Sequence, residues 1–157
     1  MSKRTTALGL ALAFAAAAMP AAVTKAADGC KPVIGSFEAR IVPPPACTAV
    51  FCTAGRVWGG LQGTYEFTMP VPPQPTGVVP SISFFTGDSK VTLKSGEVVN
   101  GKDTGTLDFG PDGGFASLIT FPDPANPGAT LGQIRLRGQL DPVDGTTSGD
   151  YIGTFCR

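Results

Sequence analysis

The chain contains no histidine. That single absence removes the Ser-His-Asp triad, the Cys-His pair and every imidazole metal ligand. A phosphate-cradling glycine loop, a dinucleotide fingerprint after a strand and a calcium-loop spacing are missing too. Charge is scarce, with 12 basic side chains against 12 acidic ones. Three of the basic residues, Lys3, Arg4 and Lys25, lie within residues 1–26, so the remainder has nine against twelve. No basic excess is left to neutralise a phosphate backbone, and nucleic acid is not an expected partner. Long hydrophobic runs are lacking as well. The longest, Ala7 to Ala18, falls short of the roughly 20 residues that carry a helix across a bilayer, so the chain is not expected to span a membrane.

What is present begins with an address. Lys3 and Arg4 precede the apolar run, and a polar stretch then ends in small residues, with Thr24 and Ala26 at the positions a signal peptidase reads. The expectation is a bacterial signal peptide over 1–26 and a single domain over 27–157, secreted or periplasmic. Four cysteines, Cys30, Cys47, Cys52 and Cys156, fall in the second part. An even count in an exported chain predicts disulfides. Of the three pairings, Cys47–Cys52 makes a small loop and Cys30–Cys156 a clasp between the chain ends. A zinc site is the rival reading. The C-x4-C spacing and the oxidising compartment argue against it, so no metal is expected.

Twenty-one glycines and fifteen prolines are spread along the chain, which is turn chemistry repeated many times. No window past residue 26 sustains a helical period. What recurs is alternation with period two, the mark of strands with one buried face. Eight segments carry it: "SFEARIV", "GTYEFTM", "PSISFFT", "KVTLKSG", "DTGTLDF", "GFASLITF", "QIRLRGQL" and "GDYIGTF". Tight turns are expected at Thr86 to Asp88, Pro111 to Gly114 and Asp141 to Gly145. One-sided strands in a meander are satisfied by an all-β, eight-stranded antiparallel closed β-barrel, with a β-sandwich as the alternative. The proline-rich stretches "VPPPAC" and "MPVPPQPTGVVP" belong in long rim loops.

The alternation nominates an interior: Phe37, Tyr65, Phe67, Phe84, Leu107, Phe109, Phe115, Ile119, Ile134, Leu136 and Phe155. An eight-stranded barrel is just wide enough to be filled or to hold one small ligand. Tyr65, Phe67, Phe84 and Phe115, with the lone Trp58 in "GRVWGGLQG", are therefore the barrel-lining candidates for ligand binding. Among the carboxylates Asp103, Asp108, Glu38 and Glu66, the last three fall on polar faces. Arg135 and Arg137 share a strand face where they could clamp an anion, but in a closed barrel that face is the wet outer side.

The stretch from Asp103 and Thr104 through Gly128, Ala129, Gly132, Gln133, Ile134, Arg135 and Leu136 is similar to the C-terminal half of plant allene oxide cyclases. There an acidic-Thr strand leads to Gly-Ala-x-Gly-Gln, an aliphatic residue, a basic residue and Leu. Dirigent proteins share that barrel. The resemblance covers residues 80–155 and departs in an extra residue between Ala129 and Gly132 and in "FPDPANP". It implies an eight-stranded barrel with an apolar cavity and a homo-oligomer, trimeric in the plant families. The family's catalytic carboxylate and site cysteine come from regions that do not align, and the cysteines here are assigned to disulfides, so no catalytic residue is carried over. The expected function is an exported barrel that binds a small apolar or amphipathic ligand, or serves as a surface or matrix interaction module. The alternative is a cofactor-free isomerase or cyclase, and neither reading uses a cofactor.

Overall fold

The structure, a computed structural model, describes residues 29–111 and 113–156. The expected signal peptide lies outside these residues. The described residues form nine strands and no helix: β1 (Cys30–Ile41), β2 (Phe51–Gly59), β3 (Gly63–Met69), β4 (Gln74–Pro75), β5 (Ile82–Leu93), β6 (Val98–Asp108), β7 (Gly114–Pro122), β8 (Thr130–Asp141) and β9 (Thr146–Cys156). Every pairing is antiparallel, and the sheet, with β1 beside β9, is closed into a barrel by the pairing of β3 with β5. β1 pairs with β9 along eleven positions, from Cys30↔Cys156 to Arg40↔Thr146, and β3 pairs with β5 from Gly63↔Leu93 to Thr68↔Asp88. The result is an eight-stranded antiparallel closed barrel. The two-residue β4 is an extra strand laid against the start of β5.

Two strand assignments from the sequence need correction, and their errors cancel in the count. "FCTAGRVWG" is a strand, not a connection, and Thr86 to Asp88 is no turn but the middle of the twelve-residue β5. A continuous strand must hold one phase throughout. In β5 the phase with Ile82 and Phe84 inward would also turn Asp88 and Lys90 inward. The opposite phase buries Ser83, Phe85, Gly87, Ser89, Val91 and Leu93. Burying two charges costs far more than exchanging one phenylalanine for its neighbour. Phe84 is accordingly 55% exposed on the outside and Phe85 6% exposed in the core. The same logic places Trp58, 43% exposed, on the outer face it shares with Arg56, while Val57 points in. Phe109 lies past the end of β6 and is exposed.

The other interior assignments hold. Phe37, Tyr65, Phe67, Ile119, Ile134, Leu136 and Phe155 are buried in one cluster, with Leu107 and Phe115 packed against it. Burying each large side chain contributes about 1.5–3 kcal/mol. Outside, Arg135 and Arg137 are exposed, with Arg137 opposite Asp150 in register. Lys90 pairs with Glu66 at 3.1 Å, and Lys102 pairs with Asp88. These half-exposed pairs contribute little to stability; they mark the wet side. Among the described residues no helix is long and apolar enough to cross a membrane.

The barrel's two ends differ. At the end where β1 begins and β9 finishes, the interior is solid. Ile119 and Phe121 have no exposed surface, and Phe121 packs edge-on against Phe155 at 5.6 Å. Leu61, in the turn from β2 to β3, plugs this end. Its backbone N–H donates to the Tyr151 hydroxyl at 2.7 Å, and that hydroxyl lies 2.8 Å from the Trp58 carbonyl and 3.1 Å from the Leu61 carbonyl. Both expected disulfides are formed, Cys30–Cys156 clasping the closed end and Cys47–Cys52 bracing a loop at the other. No free cysteine remains.

Candidate functional site

The opposite end of the lumen is open. A narrow apolar cavity of about 50 Å³ descends from the mouth between Phe51, Met69, Leu107 and Leu140 to a floor at mid-barrel. That volume holds about four waters, or the tip of a small molecule. Its walls are aromatic. Phe37 packs at 6.0 Å from Tyr65 and 5.9 Å from Phe115, while Phe67 meets Phe85 edge-on at 5.6 Å and Phe51 at 6.5 Å.

The floor is polar. In β6 the inward face runs Val99, Gly101, Asp103, which carries a carboxylate into the lumen opposite Gly87 of β5 and Ile119 of β7. Asp103 is 3% exposed. The Ser89 hydroxyl donates to its Oδ2 at 3.1 Å, and the Tyr65 hydroxyl lies 3.2 Å from Ser89 Oγ. Because the single serine proton is committed to the carboxylate, the tyrosine is the donor in the second bond. The chain of donation runs Tyr65 to Ser89 to Asp103. The other carboxylate oxygen, Oδ1, is buried and closes no hydrogen bond of normal geometry among the described residues.

Burial pushes Asp103 up to about 6, against the opposing pull of Ser117, Ser89 and the Thr104 amide. Burial also raises Tyr65, reinforced by the charge of Asp103 and opposed by the hydrogen bond to Ser89. Asp103 is thus a carboxyl group that changes charge near neutral pH inside an apolar tube. It can accept a hydrogen bond or a proton on Oδ1 and relay through Ser89 on the other side. No group of three or more His, Cys, Asp or Glu capable of holding a metal ion occurs among the described residues.

Of the five barrel-lining candidates from the sequence, Tyr65, Phe67 and Phe115 meet in this cavity. Phe84 and Trp58 do not, since the phase of β5 and of β2 turns them outward. The sequence reading missed Phe85, Phe51, Ser89, Ser117 and, above all, Asp103, which it placed on a strand without a role. The signal for Asp103 was available: counting back in twos from the inward Leu107 lands on it.

No family model matches the chain, and neither curated proteins nor solved structures give a match.

Proposed function

We propose that this is an exported β-barrel that binds one small amphipathic molecule, its apolar body in the mouth half of the lumen and a hydrogen-bond donor against Asp103. The observation that carries the reading is a buried carboxylate at the floor of a mostly apolar cavity: Ser89 holds Asp103 Oδ2, the Ser117 hydroxyl and the Thr104 amide also face the group, and Oδ1 closes no hydrogen bond of normal geometry. A buried acceptor whose hydrogen bonding is incomplete is destabilising, and a ligand hydroxyl or amine there would complete it. The 50 Å³ of free space is well below the roughly 300 Å³ of a drug-sized pocket. It favours a slender chain end or a small ring over a bulky polycycle. Two disulfides fit an oxidising compartment, in keeping with export. A trimer enters this proposal only through the resemblance to allene oxide cyclases.

The test is displacement of a neutral apolar fluorophore by matched pairs of short alcohols and their isosteric alkanes. Binding at one site per chain is expected, with the alcohol about tenfold tighter than the alkane and the preference abolished in Asp103→Leu. Absence of saturable binding, or equal affinity for both members of each pair, would overturn the reading.

A second reading, a cofactor-free isomerase or cyclase, is favoured by the elevation of Asp103 to about 6 beside the Tyr65–Ser89 relay. A carboxylate tuned toward the operating pH is suited to moving a proton within an unsaturated ligand. Deuterium uptake from solvent into a bound unsaturated ligand, lost in Asp103→Asn, distinguishes catalysis from binding alone.

A further inference from the structure

We propose that the open rim of the barrel docks onto the surface of a neutral, zwitterionic lipid bilayer. The rim is made of four loops, 42–50, 70–81, 109–113 and 142–145, at the ends of β1, β3, β6 and β8. Every one of them displays large apolar side chains to solvent: Val50 in the first, Val71, Val78 and Val79 in the second, Phe109 in the third and Val143 in the fourth. Val78 is 86% exposed, Val143 91% and Phe109 61%. The three connections at the closed end, 60–62, 94–97 and 123–129, expose no large apolar side chain. On the barrel wall Ile34 and Ile152, partners in the β1–β9 register, are exposed side by side, and Trp58 and Val98 are exposed toward the closed end, but only the open end bears exposed hydrophobics on the tips of all its loops.

Charge selects the partner. Loops 42–50 and 70–81 contain no charged residue in twenty-one positions, and among the described residues the charge at this end is carboxylate alone in the other two: Asp108 and Asp141, which accept from the loop amides of Gly110 and of Val143 and Asp144, and Asp144 itself. Placing the two long loops at an apolar boundary leaves no charge to desolvate, and desolvation of charge is the main obstacle to interfacial insertion. With no lysine or arginine in the four loops, nothing there pairs with anionic headgroups, and the aspartates are repelled by them. A zwitterionic surface is the one that fits. The two long loops also lose little freedom on docking. Prolines 43–45, 70, 72, 73, 75 and 80 restrict them, and Cys47–Cys52 braces the first.

The lumen opens within this ring, so a docked barrel presents its cavity to the bilayer. The docking inference goes beyond the ligand reading and does not depend on it: a solid lumen would leave the same rim. The experiment uses protein recovered from the periplasm of an expression host, oxidised and with its mass recorded, so that a retained apolar leader is not mistaken for rim binding. It is floated with phosphatidylcholine vesicles, with or without phosphatidylglycerol. The wild type is expected to float with pure phosphatidylcholine and less well when phosphatidylglycerol is added. Val78→Asp combined with Phe109→Asp should weaken flotation by about tenfold or more, whereas Ile152→Asp on the barrel wall and Asp103→Asn in the lumen leave it unchanged. In a Trp58→Phe background, Phe109→Trp should shift its emission to the blue on vesicle addition. Failure of the wild type to float, equal loss with Ile152→Asp, or stronger flotation with phosphatidylglycerol would each overturn the inference. So would a lipid-independent dimer abolished by the rim pair, which would make a second copy of the chain the occupant.

Discussion

Asp103 reaches the lumen because β6 alternates without interruption, so the inward face that holds Val99 also holds the carboxylate. Its environment makes a pH signature with a definite sign. In the unfolded chain an aspartate titrates near about 4; in the fold Asp103 titrates at about 6. Between those values the native state binds the extra proton, so stability falls as pH rises through this window and is lowest above it. A displacement of about two units corresponds to about 2–3 kcal/mol withheld at neutral pH. Asp103→Asn should therefore raise the free energy of unfolding at pH 7.5 by about 1–3 kcal/mol and flatten the slope between pH 4 and 6.5, as read by urea denaturation across that range. An unchanged slope in the variant would place the titrating group elsewhere.

At the scale of the element, β5 explains what the sequence could and could not disclose. The alternating segments, the prolines and the turn glycines were enough to read strands, a barrel and rim loops, and the cysteine spacing was enough to read both disulfides. The phase of β5 was hidden because "TGD" looks like a turn, and a turn there lets each half choose its own face. Gly87 is a glycine for another reason: a Cβ there would lie 2.4 Å from Phe67 Cε2 and 2.7 Å from the Thr68 carbonyl oxygen. The position is small so that the Phe67 ring can cross it, the small-against-large fit of a narrow barrel. Gly87→Ala should cost about 1–3 kcal/mol in thermal or chemical unfolding, and Phe67→Leu in the same chain should restore part of it. A neutral Gly87→Ala would show that the Phe67 ring moves aside and that packing does not require a glycine here. The cavity was less legible than the fold for a related reason. Its floor is made by Asp103, Ser89 and Ser117, short polar side chains that period-two hydrophobicity does not register.

At the scale of the whole molecule, the two disulfides do unequal work. Cys30–Cys156 spans 126 positions and Cys47–Cys52 only 5. Loop-closure entropy alone predicts about 4–5 kcal/mol for the first and about 2 kcal/mol for the second. Replacing Cys30 and Cys156 together by alanine should accordingly shift the urea midpoint about twice as far as replacing Cys47 and Cys52. Equal shifts would show that native packing of the β1–β9 seam, not the cross-link, sets the difference. The same clasp has a consequence for survival among proteases. With Cys30 bonded to Cys156, the backbone between them is a covalent ring, so one cut in any connection linearises the ring without releasing a fragment. A nicked molecule still has its eight paired strands in one piece, and two separate cuts are needed before anything can diffuse away.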